Sequence, residues 1–201
     1  TMWSQTTQGM HNLFRLSSLS SMEGYYFKPR MDRELLQTYG RGLIATTGCP
    51  SGEVQTRLRL GQYDAARAAA AEFQDIFGKE NYFAEIMDHG LSIERRVMTD
   101  LLRIAKDLDI PLVATNDSHY THQHEADAHA ALLCVQSGST LDDPNRFKFD
   151  GDGYYVKTAA EMRQLFRDHP EACDNTLRIA ERCEVEFDTA ANYMPRFPVP
   201  P

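Results

Sequence analysis

Apolar positions recur along the chain in two alternating patterns from residue 32 onward. Helical spacing predicts four helices, at 32–39, 53–60, 64–77 and 93–108. Short apolar runs predict buried strands between them, at 43–47, 82–87 and 112–115. Strands separated by long amphipathic helices are typical of βαβ units. The predicted fold class is therefore α/β, with a parallel sheet or a (β/α) barrel.

The two ends of the chain depart from this alternation. Near the start, a helix is predicted at 9–20 with no strand before it. Later helices are predicted at 125–136, 159–167 and 172–183, with a Gly- and Asp-rich loop or hairpin at 142–157 between the first two of them. The Pro-rich end, 191–201, predicts an extended linker. We expect residues 1–190 to form one domain or part of one, and the abrupt start and end to mark a fragment of a longer protein.

Composition narrows the class of protein. The chain has 201 residues, of which 42% are hydrophobic, enough for a real core. Its net charge of -8 argues against an autonomous nucleic-acid binder. The cysteines form no Cys-x-x-Cys pair, which argues against a zinc finger or a disulfide framework and favours a reducing, cytoplasmic location. No apolar run approaches the ~20 residues of a membrane span.

Candidate chemistry follows the strand predicted at 112–115. Asp117 and His119 are two positions apart, so in an extended stretch both side chains project to the same side. A carboxylate and an imidazole aligned in this way can bind a divalent metal. For an isolated Asp-x-His the more common outcome is a turn-capping Asp117 and an ordinary hydrogen bond from His119.

A thiol follows the strand predicted at 43–47. The polar turn after it would place Cys49 at the same end of the barrel as Asp117 and His119 if the two strands are parallel neighbours. Thiolate, carboxylate and imidazole together are typical ligands of zinc-like metals. The alternative is a buried, small and inert Cys49.

Two further histidines are possible cleft-lining residues. His89 ends the strand predicted at 82–87, where a simple turn residue is nearly as well favoured. His122 begins a segment that favours a solvated helix start. The acidic residues Asp150 and Asp152 are each followed by a glycine, which predicts a loop rather than a polymerase active site. We expect no polymerase catalytic residue in this chain.

Three segments carry a resemblance to a known family. They are Thr47-Gly-Cys-Pro-Ser-Gly-Glu-Val-Gln55, Asn81-Tyr-Phe-Ala-Glu-Ile-Met-Asp-His-Gly90 and Pro111-Leu-Val-Ala-Thr-Asn-Asp-Ser-His-Tyr120. In order and spacing they resemble successive blocks of the PHP domain of bacterial DNA polymerase III α subunits, the replicative C-family polymerases. The first block looks actinobacterial-like, and the similarity covers the whole chain.

The resemblance implies a partial, distorted (β/α) PHP barrel with additional helices toward the C-terminus. In that family the strand ends hold up to three metal ions. Carried over by motif, Cys49, Asp117 and His119 would be the last ligands, with Asp117 and His119 catalytic. The early ligands, including a His-x-His motif, would precede residue 1. The expected cofactor is a divalent metal, Zn or Mn, with Mg as a further candidate.

The resemblance also implies a function. It indicates DNA-directed DNA synthesis by the full protein, with the intact PHP domain acting as a metal-dependent 3′-5′ exonuclease or phosphoesterase in proofreading. The alternative is a non-catalytic scaffold that stabilises the polymerase and binds replisome partners. Expected partners are the primer-template 3′ end, the remaining polymerase domains and replisome subunits, without a membrane. The chain by itself is expected to be inactive.

Overall fold

Alternating strands and helices form a mixed α/β fold in the computed structural model, which describes residues 1–199. The strands are β1 (Met2–Ser4), β2 (Leu43–Thr46), β3 (Tyr82–Ile86) and β4 (Leu112–Ala114). The α-helices are α1 (Thr7–Met22), α2 (Arg33–Tyr39), α3 (Glu53–Arg59), α4 (Tyr63–Phe77), α5 (Ser92–Leu108), α6 (Ala126–Ser137), α7 (Ala159–Leu165) and α8 (Pro170–Arg182). Short 3-10 turns lie at Lys79–Asn81 and Gln123–Glu125.

The strands form one sheet in the order β1-β2-β3-β4. The strand pairs β2–β3 and β3–β4 are parallel, which confirms the predicted α/β class. Within residues 1–199 the sheet does not close, so it is a partial barrel. The carboxyl ends of β2, β3 and β4 all meet at one edge, where the sites of parallel α/β folds lie.

The prediction that no strand precedes the first helix is wrong. The strand β1 pairs antiparallel with β2, with Met2 opposite Ala45 and Ser4 opposite Leu43. Three residues are too few to show the two-residue period of a strand, and the backbone partner that holds them lies about forty positions away. Only the folded sheet reveals this pairing.

The sheet is covered on both faces. Leu43, Tyr82 and Ile86 belong to the larger core that packs against the helices, whereas Ile44, Phe83 and Val113 pack with Ile179 of α8. Helix α8 is also fastened to the edge strand, because Asn175 Nδ2 donates a hydrogen bond to the Leu112 carbonyl at 2.7 Å. Burial on both faces explains why these strands read as continuous apolar runs.

The remaining segments are irregular. Residues 150–152 form bends in a loop, as predicted, and the Asp152 carboxylate accepts a hydrogen bond from Gln123 Nε2 at 3.0 Å. The predicted linker contains no helix or strand from 191 to 199, and its last two residues lie outside the described part of the chain. No helix among residues 1–199 has the length and apolar content needed to cross a bilayer.

Candidate metal centre

Asp117 and His119 lie together just beyond the carboxyl end of β4. Asp117 adopts a left-handed backbone conformation, with φ of 43°, which Asp tolerates better than most residues. Its Oδ2 atom lies 3.6 Å from His119 Nε2, with side chains 41% and 35% exposed respectively. The two residues therefore face each other in a solvent-accessible position, although the left-handed backbone of Asp117 interrupts the extended segment that was expected.

A backbone hydrogen bond and aromatic side chains hold His119 in place. Its N–H donates to the Tyr154 carbonyl at 2.8 Å, and its ring lies 4.6 Å from the Phe149 ring in an edge-on arrangement. The His129 ring is 5.3 Å from His119. Burial, and then the electrostatic effect of the neighbouring His119, lower the pKa of His129. The site thus has an aromatic wall on the side of the 146–157 loop.

Cys49 lies in the turn after β2, half-buried, with its Sγ atom 3.0 Å from Ser51 Oγ. The strands β2 and β4 are parallel to one another but are not neighbours, because β3 lies between them. Two strand spacings amount to about 10 Å. Within residues 1–199, no group of three or more His, Cys, Asp or Glu side chains is close enough to hold a metal ion.

The side chains of Asp117, His119 and Cys49 nevertheless carry the kinds of donor atom that bind transition metals. Asp117 offers a carboxylate and His119 an imidazole within one coordination sphere of each other. Cys49 offers a thiol at the same edge of the sheet. The described residues thus offer two adjacent candidate ligands and one separate candidate, and a complete metal site would need further donors.

The strand β3 contributes a buried acidic residue that could not be assigned from the sequence. Glu85 of β3 is only 5% exposed, and its Oε2 and Oε1 atoms accept hydrogen bonds from Thr46 Oγ1 at 2.5 Å and Thr115 Oγ1 at 2.6 Å. By strand alternation these three side chains continue the row of Ile44, Phe83 and Val113. The available signal was one acidic residue inside an otherwise apolar strand.

His89 lies beneath the site rather than in its mouth. Its side chain is 1% exposed, Nδ1 lies 2.7 Å from Glu94 Oε1, and Nε2 lies 2.8 Å from the Asn116 carbonyl. Burial opposes the charge, but the hydrogen bonds that His89 donates to the Glu94 carboxylate and the Asn116 carbonyl raise the pKa of His89 overall. The ring stacks on Tyr154 at 4.0 Å. Both nitrogens are engaged, so His89 lines the site from below without a free ligand atom.

His122 marks a helix start, as the sequence favoured. It is exposed, its ring stacks on His124 at 5.5 Å, and its N–H donates to Glu125 Oε2 at 2.7 Å. These hydrogen bonds to the backbone, together with the neighbouring His122 and His124, lower the pKa of Glu125. The contacts described for His122 are those of a helix cap.

The loop that carries Tyr154 is tied to the residue before Asp117. Asn116 Nδ2 donates to the carbonyls of Gly153 at 2.9 Å and Tyr155 at 2.7 Å, and its Oδ1 accepts from Lys157 Nζ at 3.0 Å. Burial lowers the pKa of Lys157. Asn116 thereby fixes the 150–157 loop against the segment that bears Asp117 and His119.

Comparison with known proteins gives a family for part of this α/β fold. The PHP domain family matches residues 1–89. This match shows that residues 1–89 belong to the PHP domain family.

The relatives that support this membership are all polymerase subunits. The DNA polymerase III subunit alpha of Saccharopolyspora erythraea is 60% identical over 199 residues, covering 98% of this chain. That of Mycobacterium tuberculosis is 58% identical over all of this chain, and that of Thermus aquaticus is 41% identical over 96% of it. The chain spans only 17%, 17% and 16% of the lengths of these relatives.

Proposed function

We propose that this chain is part of the PHP domain of a cytoplasmic replicative DNA polymerase, and that the intact domain is a metal-dependent 3′-5′ exonuclease used in proofreading. DNA synthesis itself would be carried out by other parts of the polymerase. The primer-template 3′ end would be the substrate, and replisome subunits would be partners. Residues 1–190 would belong to the PHP domain, and 191–201 would lead toward the rest of the polymerase.

The observation that carries the proposal is the Asp117–His119 pair at the carboxyl edge of the sheet. An acid and an imidazole 3.6 Å apart, partly exposed and backed by an aromatic wall, suit the binding of a divalent cation. Cys49, on the loop after β2, would complete this side of the site together with ligands from outside residues 1–199. Bound Zn or Mn would supply an activated water for attack on the phosphodiester.

The proposal is tested on the full-length polymerase with Asp117→Asn. This change keeps the shape of the side chain but weakens its affinity for a cation. We expect manganese-dependent removal of a mispaired 3′ nucleotide to fall about a hundredfold, the upper range for weakened metal sites, while primer extension is retained. Asp142→Asn, an exposed acid in the 139–146 turn, is the matched control. Full exonuclease activity in the Asp117→Asn protein would reject the proposal.

A scaffold role without catalysis is the second candidate. Helix α6 exposes Leu132 to 62% and Val135 to 80%, which suits a surface covered by another part of a larger assembly. If the wild-type polymerase binds no Zn or Mn and shows no exonuclease activity, the scaffold role replaces the enzymatic one.

A further inference from the structure

Each of the two carboxyl oxygens of Glu85 accepts a hydrogen bond from a threonine next to a different neighbouring strand. Oε2 accepts from Thr46 at the end of β2, and Oε1 accepts from Thr115 just after β4. In both hydrogen bonds the threonine hydroxyl donates and the Glu85 carboxyl oxygen accepts. The side chain of Glu85 on β3 therefore joins the two strands on either side of it, β2 and β4, which share no backbone hydrogen bonds with one another.

The two threonines lie immediately before the candidate ligands. Thr46 is three positions before Cys49, and Thr115 is two positions before Asp117. The backbone N–H of Glu85 also donates to Thr47 Oγ1 at 2.9 Å, and Gln55 Nε2 donates to the same oxygen at 3.0 Å and to the Gly48 carbonyl at 2.6 Å. The hydrogen bonds of Glu85 thus extend directly into the turn that bears Cys49.

Stability alone gives a poor account of this residue. Burying a carboxylate is costly unless a cation compensates it. Among residues 1–199, no Lys, Arg or His nitrogen lies within ion-pair distance of Glu85, and its observed donors are neutral hydroxyls. An apolar residue would continue the packing surface of Phe83 without this cost. The fold keeps a buried carboxyl group at the position on β3 that reaches both strand ends with candidate ligands after them.

We propose that Glu85 is a positioning residue that sets the separation and orientation of the Cys49 turn relative to the Asp117–His119 segment. This inference rests on the proposed metal centre. Glu85 acts through Thr46 and Thr115, which are continuous in the chain with the ligands, and it does not itself contact the metal.

The test uses the full-length polymerase with Glu85→Val and Glu85→Gln. Valine removes both hydrogen bonds. Glutamine can keep them, because its carbonyl accepts from one threonine and its amide donates to the oxygen of the other. Ile86→Val, on the opposite face of β3, is the matched control for a small loss of packing in the same strand.

Two measurements distinguish a role of Glu85 in positioning the candidate ligands from a general contribution to the stability of the fold. The first is the affinity for Mn²⁺ alone, measured by electron paramagnetic resonance, and the second is hydrogen exchange in segments 47–52 and 115–119. We expect Glu85→Val to weaken Mn²⁺ binding about tenfold, which is the range for substitutions of residues that orient metal ligands without contacting the metal. We also expect it to speed hydrogen exchange in both segments. Glu85→Gln should preserve affinity within about threefold, and Ile86→Val should leave both readouts near wild type at comparable thermal stability.

The failures of the two proposals are distinguishable. If Glu85→Val and Ile86→Val change Mn²⁺ affinity equally, the positioning role is overturned even though the metal centre stands. If the wild-type protein and Asp117→Asn bind Mn²⁺ equally poorly, the metal centre fails, and hydrogen exchange alone then decides. Faster exchange in both segments in Glu85→Val would still support positioning, and a change in one segment or neither would reject it.

Discussion

At the scale of single residues, the fold buries charge beside the candidate site. The His89 ring has an acceptor at each nitrogen, the Glu94 carboxylate and the Asn116 carbonyl. A carbonyl cannot donate, and the hydrogen bond with His89 lowers the pKa of Glu94 despite the opposing effect of burial. Both ring nitrogens therefore carry protons, and the pair is an imidazolium with a carboxylate. This ion pair supports the segment that carries Asp117 from below.

The His89–Glu94 pair should give the protein a window of pH-dependent stability. Since the pKa of His89 is raised above its ordinary 6.5, its contribution is full below that pH and is lost as pH rises through the raised value. Since the pKa of Glu94 is lowered below 4.5, its contribution is full above that pH and is lost as pH falls further. The His89–Glu94 pair therefore stabilises the folded protein most between pH 4.5 and pH 6.5, the ordinary pKa values of the two side chains.

The variant Glu94→Gln removes one partner and leaves His89 buried. Thermal unfolding near pH 6 should show a loss of roughly 3 kcal/mol, the usual cost of breaking a buried pair. The difference from wild type should shrink as the pH rises through the raised pKa of His89. A difference that stays constant from pH 5 to 9 would contradict a charged pair.

Tyr82 gives a second residue-scale prediction. Its side chain is 1% exposed, and its hydroxyl has no hydrogen-bond partner among residues 1–199. Burial is the main reason that the pKa of Tyr82 is raised, so the phenol stays neutral. Removing an unpaired buried hydroxyl relieves a desolvation cost, so Tyr82→Phe should stabilise the protein by about 1 kcal/mol. Chemical denaturation measures this, and a clear loss of stability would show that the hydroxyl has a partner.

Sequence reasoning reached the candidate site only in part. Asp117 and His119 follow an apolar strand at a spacing that aligns their side chains, and the structure brings them together. Glu85 was out of reach, because a single acid in a strand has no period, and its partners Thr46 and Thr115 are thirty or more positions away. Which hydrogen bonds it makes depends on strand order.

At the scale of elements, helices and strands were largely predictable, but the order of the sheet was not. The apolar runs at 43–47, 82–87 and 112–115 correspond to β2, β3 and β4 within about two residues. Periodicity says which face of a strand is buried and nothing about which strands are neighbours. That gap matters here, because β3 separates the loop of Cys49 from that of Asp117.

The contact of α1 with the start of β2 depends on a glycine. A Cβ atom added at Gly9 would lie 1.8 Å from the Gly42 carbonyl oxygen, which is backbone and cannot rotate away. Gly9→Ala must therefore push the helix off the turn, and we expect a loss of roughly 3 kcal/mol. Ser18→Ala, an exposed change on the same helix, is the control and should stay near wild type. Equal stabilities of the two variants would refute the close approach.

At the scale of the whole molecule, the sheet is open and its carboxyl edge holds an incomplete set of metal donors among residues 1–199. The chain spans 17% of the length of the Saccharopolyspora and Mycobacterium relatives, and the similarity to them extends over 98% and 100% of the chain. The central claim is that Cys49, Asp117 and His119 act on one cluster of ions when the domain is intact. Strand spacing alone leaves them apart, so ions that bridge the two loops are required.

Anomalous X-ray diffraction from crystals of the full-length polymerase grown with zinc or manganese tests this claim most directly. The account predicts an ion about 2.3 Å from the Cys49 sulfur in the zinc-loaded crystal and ions about 2.1 Å from the Asp117 and His119 donor atoms, as in protein zinc sites. It also predicts that these ions form one cluster at the carboxyl edge of β2, β3 and β4. An edge without anomalous density, or metal bound only elsewhere in the protein, would contradict it.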